Sequence, residues 1–345
     1  MLRLRSKGGE GTRSKERRPD EPVLSVSHLT TEFRTGSGWV KVVDDISFDV
    51  AAGEILGIVG ESGSGKSVTC LSLMRLLKEG QGRITAKSVK VDGEETRDYG
   101  TKAMRRLRGT KMSMILQDPM SSLNPTLTIG YQVNEALGRA KGSGGARRPV
   151  DSLREVHLSS PEQRVSQYPH VLSGGMRQRV CIAMALASRP RILFADEPTT
   201  ALDVTIQSQI LALLRRLRDE HGTSIVLVTH DLGVVAQTCD KVAVMYSGRI
   251  VEMGPVREVL RNPQHPYTKG LLAALPRIGK TDELKIMEGQ PPDPRALPPG
   301  CRFGPRCPEV DGECLAVDPP LVTIEPNHAC ACLRIQSRAM SEAPL

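Results

Sequence analysis

Gly60-Glu61-Ser62-Gly63-Ser64-Gly65-Lys66-Ser67 is the stretch that decides how this chain folds. It fits glycine, four residues, then Gly-Lys-Ser, the pattern of a backbone loop that wraps a triphosphate. Glycines at 60, 63 and 65 let the main chain approach a phosphate without Cβ clashes. The N–H groups at the start of the next helix converge on the anion where the helix dipole is positive. Ser62, Ser64 and Val68 complete the candidate phosphate-binding set. Lys66 would place a point charge at the β/γ-phosphates, and Ser67 would offer its hydroxyl to Mg²⁺. The context agrees: residues 54–59 read as a strand running straight into the loop, and residues 68–77 are apolar at helical spacing.

Outward from the loop, the chain alternates strands and helices. Residues 23–29 and 40–50 show the period of half-buried strands, with Ile46, Phe48 and Val50 on one face. Residues 112–116, 192–195 and 224–229 are short apolar runs; the last two read as central parallel strands buried on both faces. Residues 206–217 form an amphipathic helix between them, and residues 241–246 and 249–253 read as edge strands. The segment from about 118 to 187 is helical in pattern, with a Gly/Arg-rich interruption at 141–148. This order implies a doubly wound α/β core with a helical insertion. After residue 259 the composition changes: residues 289–308 are proline-rich and cannot be regular core structure. The expected division is a basic tail at 1–22, a nucleotide-binding domain at 23–260 and a small Pro/Cys-rich extension at 261–345.

Composition narrows the setting. Aromatics make up 3% of the 345 residues, so the core must be mostly aliphatic, and no apolar run approaches a membrane span. Part of the net charge of +8 sits at the start (Arg3, Arg5, Lys7, Arg13, Lys15, Arg17, Arg18) and reads as a solvated tail, with a weak affinity for lipid headgroups as the alternative. The opening stretch lacks the apolar segment of a secretory signal, which suggests a cytosolic protein.

Further positions are candidates for a phosphoryl-transfer site, although a lone histidine or glutamine at a strand end is more often structural. Asp196 and Glu197 follow the apolar strand at 192–195. A carboxylate at such a strand end can hold Mg²⁺ through water, and its neighbour can polarise the attacking water. Gln117 and His230 stand at the ends of two other expected strands. Leu172-Ser173-Gly174-Gly175 precedes a helix expected to start near Met176, which makes a second anion-binding helix end.

Taken together these motifs resemble the ATP-binding cassette of ABC transporters, a P-loop NTPase fold with a helical subdomain. Residues 172–179, Leu-Ser-Gly-Gly-Met-Arg-Gln-Arg, are similar to that family's signature sequence. The resemblance implies that Ser173, Gly174 and Gly175 contact the γ-phosphate of ATP held by an opposing cassette, so that two cassettes sandwich two ATP molecules. It also implies a Q-loop role for Gln117, touching Mg²⁺ and water, a D-loop at Ala201-Leu202-Asp203, a switch role for His230, and adenine stacking by Phe33. Gln117-Asp118-Pro119-Met120, Leu123-Asn124-Pro125, Tyr168-Pro169-His170 and the run from His265 to Leu272 look like the oligopeptide/dipeptide importer subfamily. That implies an ATPase with ATP and Mg²⁺ as ligands, peripheral on the cytoplasmic face of the plasma membrane. The implied partners are two transmembrane permease subunits, a second cassette (often a different chain, a homodimer being the alternative) and, indirectly, an extracytoplasmic solute-binding protein. Nickel chelates, glutathione or opines are alternative cargoes. A soluble cassette ATPase acting on ribosomes or DNA is the rival class, but such proteins carry two cassettes or a long coiled coil, and neither pattern occurs here.

Five of the eight cysteines lie between Cys301 and Cys332. In a reducing compartment such a group points to metal rather than disulfides. Members of the resembled subfamily can hold a [4Fe–4S] cluster at similarly placed cysteines. The candidate ligands are Cys301, Cys307, Cys314 and Cys332, with Cys330 the alternative fourth; an empty or oxidised site is the next reading and zinc the last. Cys70, Cys181 and Cys239 sit in apolar surroundings and read as small buried hydrophobes.

Overall fold

The apolar runs around the phosphate loop offer no polar face to water, so they must be covered on both sides, and the fold is built by covering them. A computed structural model describes residues 21–342 except 37, 79, 119–121, 140–146, 201 and 275–286. The basic tail, Pro119 and Met120, most of the Gly/Arg-rich interruption and Ala201 therefore lie outside the described residues.

Strands are numbered in chain order. β1 (Leu24–Thr35) and β2 (Gly38–Val50) form a long antiparallel pair; after β3 (Ile55–Val59), the short β4 (Gly82–Thr85), β5 (Ser88–Val91) and β6 (Glu94–Glu95) complete an antiparallel sheet around β1. The second sheet takes in β3, β7 (Met112–Ile115), β8 (Ile192–Asp196), β9 (Ser224–Thr229), β10 (Lys241–Tyr246), β11 (Arg249–Pro255), β12 (Val322–Glu325) and β13 (His328–Cys330), in the order β12-β13-β11-β10-β3-β9-β8-β7. From β10 to β7 every pairing is parallel; β11, β13 and β12 add on antiparallel.

Successive residues of the central strands point to opposite faces, and each face has its own cover. Leu56, Ile58, Phe194 and Val226 pack with Leu24, Ile46 and Phe48 of the antiparallel sheet and with the helix Lys66–Leu73. Ile55, Leu193, Ile225 and Leu227 pack with the helices Gly174–Ala185 and Val204–His221 and with the helical insertion through Ile129, Val133 and Leu153. Each large aliphatic or aromatic side chain fully buried this way contributes about 1.5–3 kcal/mol. Cys70 lies wholly in the first cluster, and Cys181 and Cys239 pack against the second, their thiols pushed up by burial to about 12 in the last two.

The expectation of edge strands at 241–246 and 249–253 is corrected. β10 lies between β3 and β11, and β11 is flanked on its far side by β13, with Glu252 opposite Cys330 and Met253 opposite Ala329. The covering strand comes from far downstream, in the cysteine-rich segment. A third core cluster joins Val59, Val242, Val244 and Tyr246 to Tyr267 and Phe303 of that same segment. The proline-rich stretch thus runs as irregular chain over the end of the sheet where the phosphate loop lies.

Candidate functional site

The phosphate loop leaves β3 and enters the helix Lys66–Leu73, capped by Gly65. Gly60 sits at φ 155°, and a Cβ there would lie 2.0 Å from the Met245 carbonyl oxygen, so the loop can fold only with glycine at this point. Lys66 is buried, and its ammonium donates to the carbonyls of Gly60 (2.8 Å) and Glu61 (2.9 Å). Burial pulls its pKa down, against the opposing charges of Glu197, Asp196 and Glu61. The Ser64 hydroxyl is buried in the loop with no hydrogen-bond partner among the described residues.

Asp196 ends β8 and is buried; Ser67 Oγ donates to its Oδ1 at 2.8 Å. Burial pushes this carboxyl up, the Ser67 hydrogen bond opposes that, and the charge of Glu197 adds to it. Ser67 and Asp196 are therefore already a paired set of hard oxygen donors at the loop, the chemistry that Mg²⁺ requires.

Glu197 follows in the left-handed region at φ 43°, an uncommon place for a residue with a Cβ and a recurrent mark of functional turns. Its N–H donates to the Val228 carbonyl at 2.9 Å, which ties the turn to β9. Three side chains converge on its carboxylate. Thr200 Oγ1 donates to Oε2 at 2.7 Å, Gln117 Nε2 donates to Oε2 at 3.2 Å, and His230 Nδ1 lies 3.3 Å from Oε1. Burial raises the Glu197 pKa, but these hydrogen bonds from Thr200 and His230, with the Lys66 charge, outweigh it and hold the group below its ordinary value. Glu197 is thus set up as a carboxylate able to accept a proton from water.

The remaining positions lie apart. Ser173 N-caps the helix Gly174–Ala185, its Oγ accepting from the Met176 N–H at 3.4 Å, and Ser173 and Gly174 are exposed. A Cβ on Gly175 would sit 2.8 Å from Ile206 Cγ2, so this glycine lets the helix press against the start of Val204–His221. Asp203 caps that second helix, accepting from the Ile206 N–H at 2.9 Å. Among the described residues no hydrogen bond joins Ser173, Gly174, Gly175 or Asp203 to the phosphate loop. Phe33 is half-buried in β1, opposite Val40 and Gly82. Val68 packs its side chain on the first core cluster, leaving only its backbone at the helix start.

Sequence reading missed several neighbours of the loop. A cavity of about 360 Å³ lies beside it, between Glu61–Ser64, Lys41 and Val42 on one side and residues 290–294 on the other. Tyr267 Oη accepts from the Glu61 N–H at 2.9 Å, and Arg306 grips the Glu61 carboxylate at 2.9 and 3.1 Å. Tyr267 lies in the run from His265 to Leu272 already singled out. Nothing local marks it or Arg306 as a partner of Glu61, because each acts across more than two hundred residues. Thr200 could have been found from its place three residues after Glu197, where a hydroxyl can hydrogen-bond back across a turn.

The C-terminal cysteines divide. Cys301, Cys307, Cys314 and Cys332 line one small apolar cavity with Phe303 and Pro319. Cys330 is buried in β13 and does not line it. Burial pushes the Cys301 thiol up to about 11, and the thiols of Cys307 and Cys314 are also raised by burial. Among the described residues no three His, Cys, Asp or Glu side chains are grouped to hold a single metal ion. No described helix is long and apolar enough to cross a membrane.

Residues 43–200 match the family described as ABC transporter, and residues 251–314 match the oligopeptide/dipeptide transporter, C-terminal region. A protein of Brucella abortus named as a peptide import ATP-binding protein is 46% identical over 315 residues, covering 90% of this chain and 94% of its own length. One of the same description from Brucella melitensis is 47% identical over 334 residues, covering 92% and 99%. Among solved structures, the dimeric ATP-binding cassette MJ0796 in a post-hydrolysis state bound to ADP and Pi aligns with TM-score 0.58 and 28% identity, over 68% of this chain and 99% of that one. CbiO1 of Clostridium perfringens, described as part of the ABC transporter complex cbiONQ, aligns with TM-score 0.57 and 28% identity, over 70% and 92%.

Proposed function

The chain belongs to the ABC transporter family of ATP-binding proteins, and on that footing we propose that it is the ATP-hydrolysing subunit that drives a peptide importer. It works with membrane permeases, as an importer ATPase must, and peptides are its cargo class. The observation that carries the reading is the convergence of Gln117, Thr200 and His230 on Glu197, one residue from the Asp196–Ser67 pair at the phosphate loop.

In this assignment the loop N–H groups and Lys66 bind the triphosphate, and Phe33 stacks on the base. Ser67, Asp196 and Gln117 would hold Mg²⁺, which neutralises charge on the β- and γ-phosphates when bound. Glu197 orients and polarises the attacking water, and His230 steadies the γ-phosphate end. Phosphoryl transfer asks little covalent help of the protein, so these positioning roles account for the catalysis. Ser173, Gly174 and Gly175, with Asp203 beside them, serve the nucleotide of a second cassette. The exposure of Ser173, Gly174 and Asp203 supports that reading, as does the dimeric state of the MJ0796 structure. The second cassette is a different chain in the arrangement we favour, and a solute-binding protein delivers the peptide to permeases in the plasma membrane. Residues 23–260 are the ATP-binding unit, and residues 261–345 form an extension that closes over its sheet.

Purified chain reconstituted with its permease pair in liposomes should hydrolyse ATP faster when peptide and binding protein are supplied. Glu197→Gln should retain ATP binding and lose about 10²–10⁴-fold in turnover. Peptide-independent turnover, or a Glu197→Gln variant of normal activity, would overturn the assignment.

We assign Cys301, Cys307, Cys314 and Cys332 to a [4Fe–4S] cluster. What supports the reading is that these four thiols line one apolar cavity and that four cysteines are the ligand set of such a cluster. Its role would be to pin an extension poor in regular structure. Anaerobically purified protein should carry iron and a brown absorption that Cys307→Ser removes. Iron-free, colourless wild-type protein would refute the assignment.

A further inference from the structure

Two arginines flank the cysteine cavity in sequence, and both reach back to the phosphate loop. Arg302, next to Cys301, pairs with the buried Asp44 and donates to the Ser247 carbonyl at 2.6 Å. The neighbouring Gly248 N–H in turn donates to the Ser64 carbonyl of the loop at 2.9 Å. Arg306, next to Cys307, makes the more direct link. Its side chain is 5% exposed, held between the rings of Tyr246 (5.7 Å) and Phe303 (6.0 Å). Its Nε donates to the Glu288 carbonyl at 3.1 Å, and its two Nη atoms grip the carboxylate of Glu61 at 2.9 and 3.1 Å.

Glu61 is the second residue of the phosphate loop. It is fixed at its N–H by Tyr267, at its carboxylate by Arg306, and at its carbonyl by the Lys66 ammonium. Two of these three partners come from the C-terminal segment. A two-pronged arginine–carboxylate pair sets orientation as well as distance, and a loop already held in its binding shape loses less freedom when a ligand arrives.

We propose that Arg306 is a positioning residue for the nucleotide: through Glu61 it holds the phosphate loop in its binding conformation and so couples the cysteine-lined extension to ATP affinity. The proposal rests on the reading of residues 60–67 as the triphosphate site. Arg306 touches neither the reacting atoms nor Glu197 in this role, so its loss falls on KM and Kd rather than on kcat.

The test uses the full chain and a fluorescent ATP analogue with Mg²⁺, titrated against R306Q, R306K, E61Q and the E61Q/R306Q double variant, with Lys66→Ala as reference. R306Q and E61Q should each weaken binding about tenfold. The double variant should be little worse than either single, as for two residues acting through one contact. R306K, which keeps the charge but not the fork, should recover part of the loss. ATPase assays of R306Q should show KM raised and kcat at saturating ATP nearly kept. If Lys66→Ala binds nucleotide like wild type, the triphosphate reading itself fails. If Lys66→Ala loses binding while R306Q and E61Q keep the wild-type Kd, or if their losses add in full, the positioning role is refuted. E61Q removes only a charge from a partly exposed side chain, so it carries the test if R306Q misfolds.

Discussion

If Glu197 is the base of the proposed reaction, the Thr200 hydroxyl helps set the working range of its carboxylate. The Thr200 hydrogen bond is one of the contacts that hold Glu197 below its ordinary pKa against burial. A general base works only when ionised, so its pKa fixes the acid limb of the rate profile. Thr200→Ala removes a stabiliser of the carboxylate, and the Glu197 pKa rises. The acid limb of the kcat–pH profile should then move to higher pH, with kcat near pH 8 less affected. A profile that stays in place would show that Thr200 does not tune this group. At this scale the sequence was readable where chemistry follows local spacing: the phosphate loop, the Asp196-Glu197 pair and the signature stretch are contiguous motifs. It was silent on the contacts of Tyr267 and Arg306 with Glu61, which exist only once the chain has folded back on itself.

Among the elements, the helix Pro266–Ala273 packs on the third core cluster through Tyr267, Leu271 and Leu272. His265 caps it: its Nδ1 accepts from the Tyr267 N–H at 3.1 Å, and the ring also bonds the backbone of Ala331. An accepting Nδ1 must be unprotonated, and burial lowers the pKa of this imidazole to about 4, against the attraction of Glu252 and with Lys269 nearby. Unfolded, the same group titrates near 6.5. Between pH 6.5 and 4 the unfolded chain therefore binds the extra proton, and stability falls as pH falls, by about 3 kcal/mol in all. Denaturant midpoints measured across that window should decline in wild type. They should decline distinctly less in His265→Asn, whose amide oxygen can still cap the helix. Parallel curves would contradict the assignment. The strands show why some elements were legible and others were not. β3, β8 and β9 are buried on both faces and announce themselves as apolar runs. The edge reading of β10 and β11 failed because the neighbour that covers β11 is a three-residue strand, β13, too short to carry any periodicity.

For the molecule as a whole, the proposed function divides the nucleotide site between two copies of the cassette, and the placement of the residues is what supports that reading. The phosphate loop, Asp196, Glu197, Gln117 and His230 gather at one end of the parallel strands. The signature residues Ser173 and Gly174 stand exposed elsewhere, at a helix start suited to an anion. The division itself comes from the family resemblance; the exposed helix start at Ser173 and Gly174 is consistent with it. The most direct test is ATP turnover per chain, measured as the protein is diluted, alone or mixed with its partner cassette. We predict that turnover per chain falls towards zero as the pair dissociates. Undiminished turnover from a preparation shown to be monomeric would contradict the composite site.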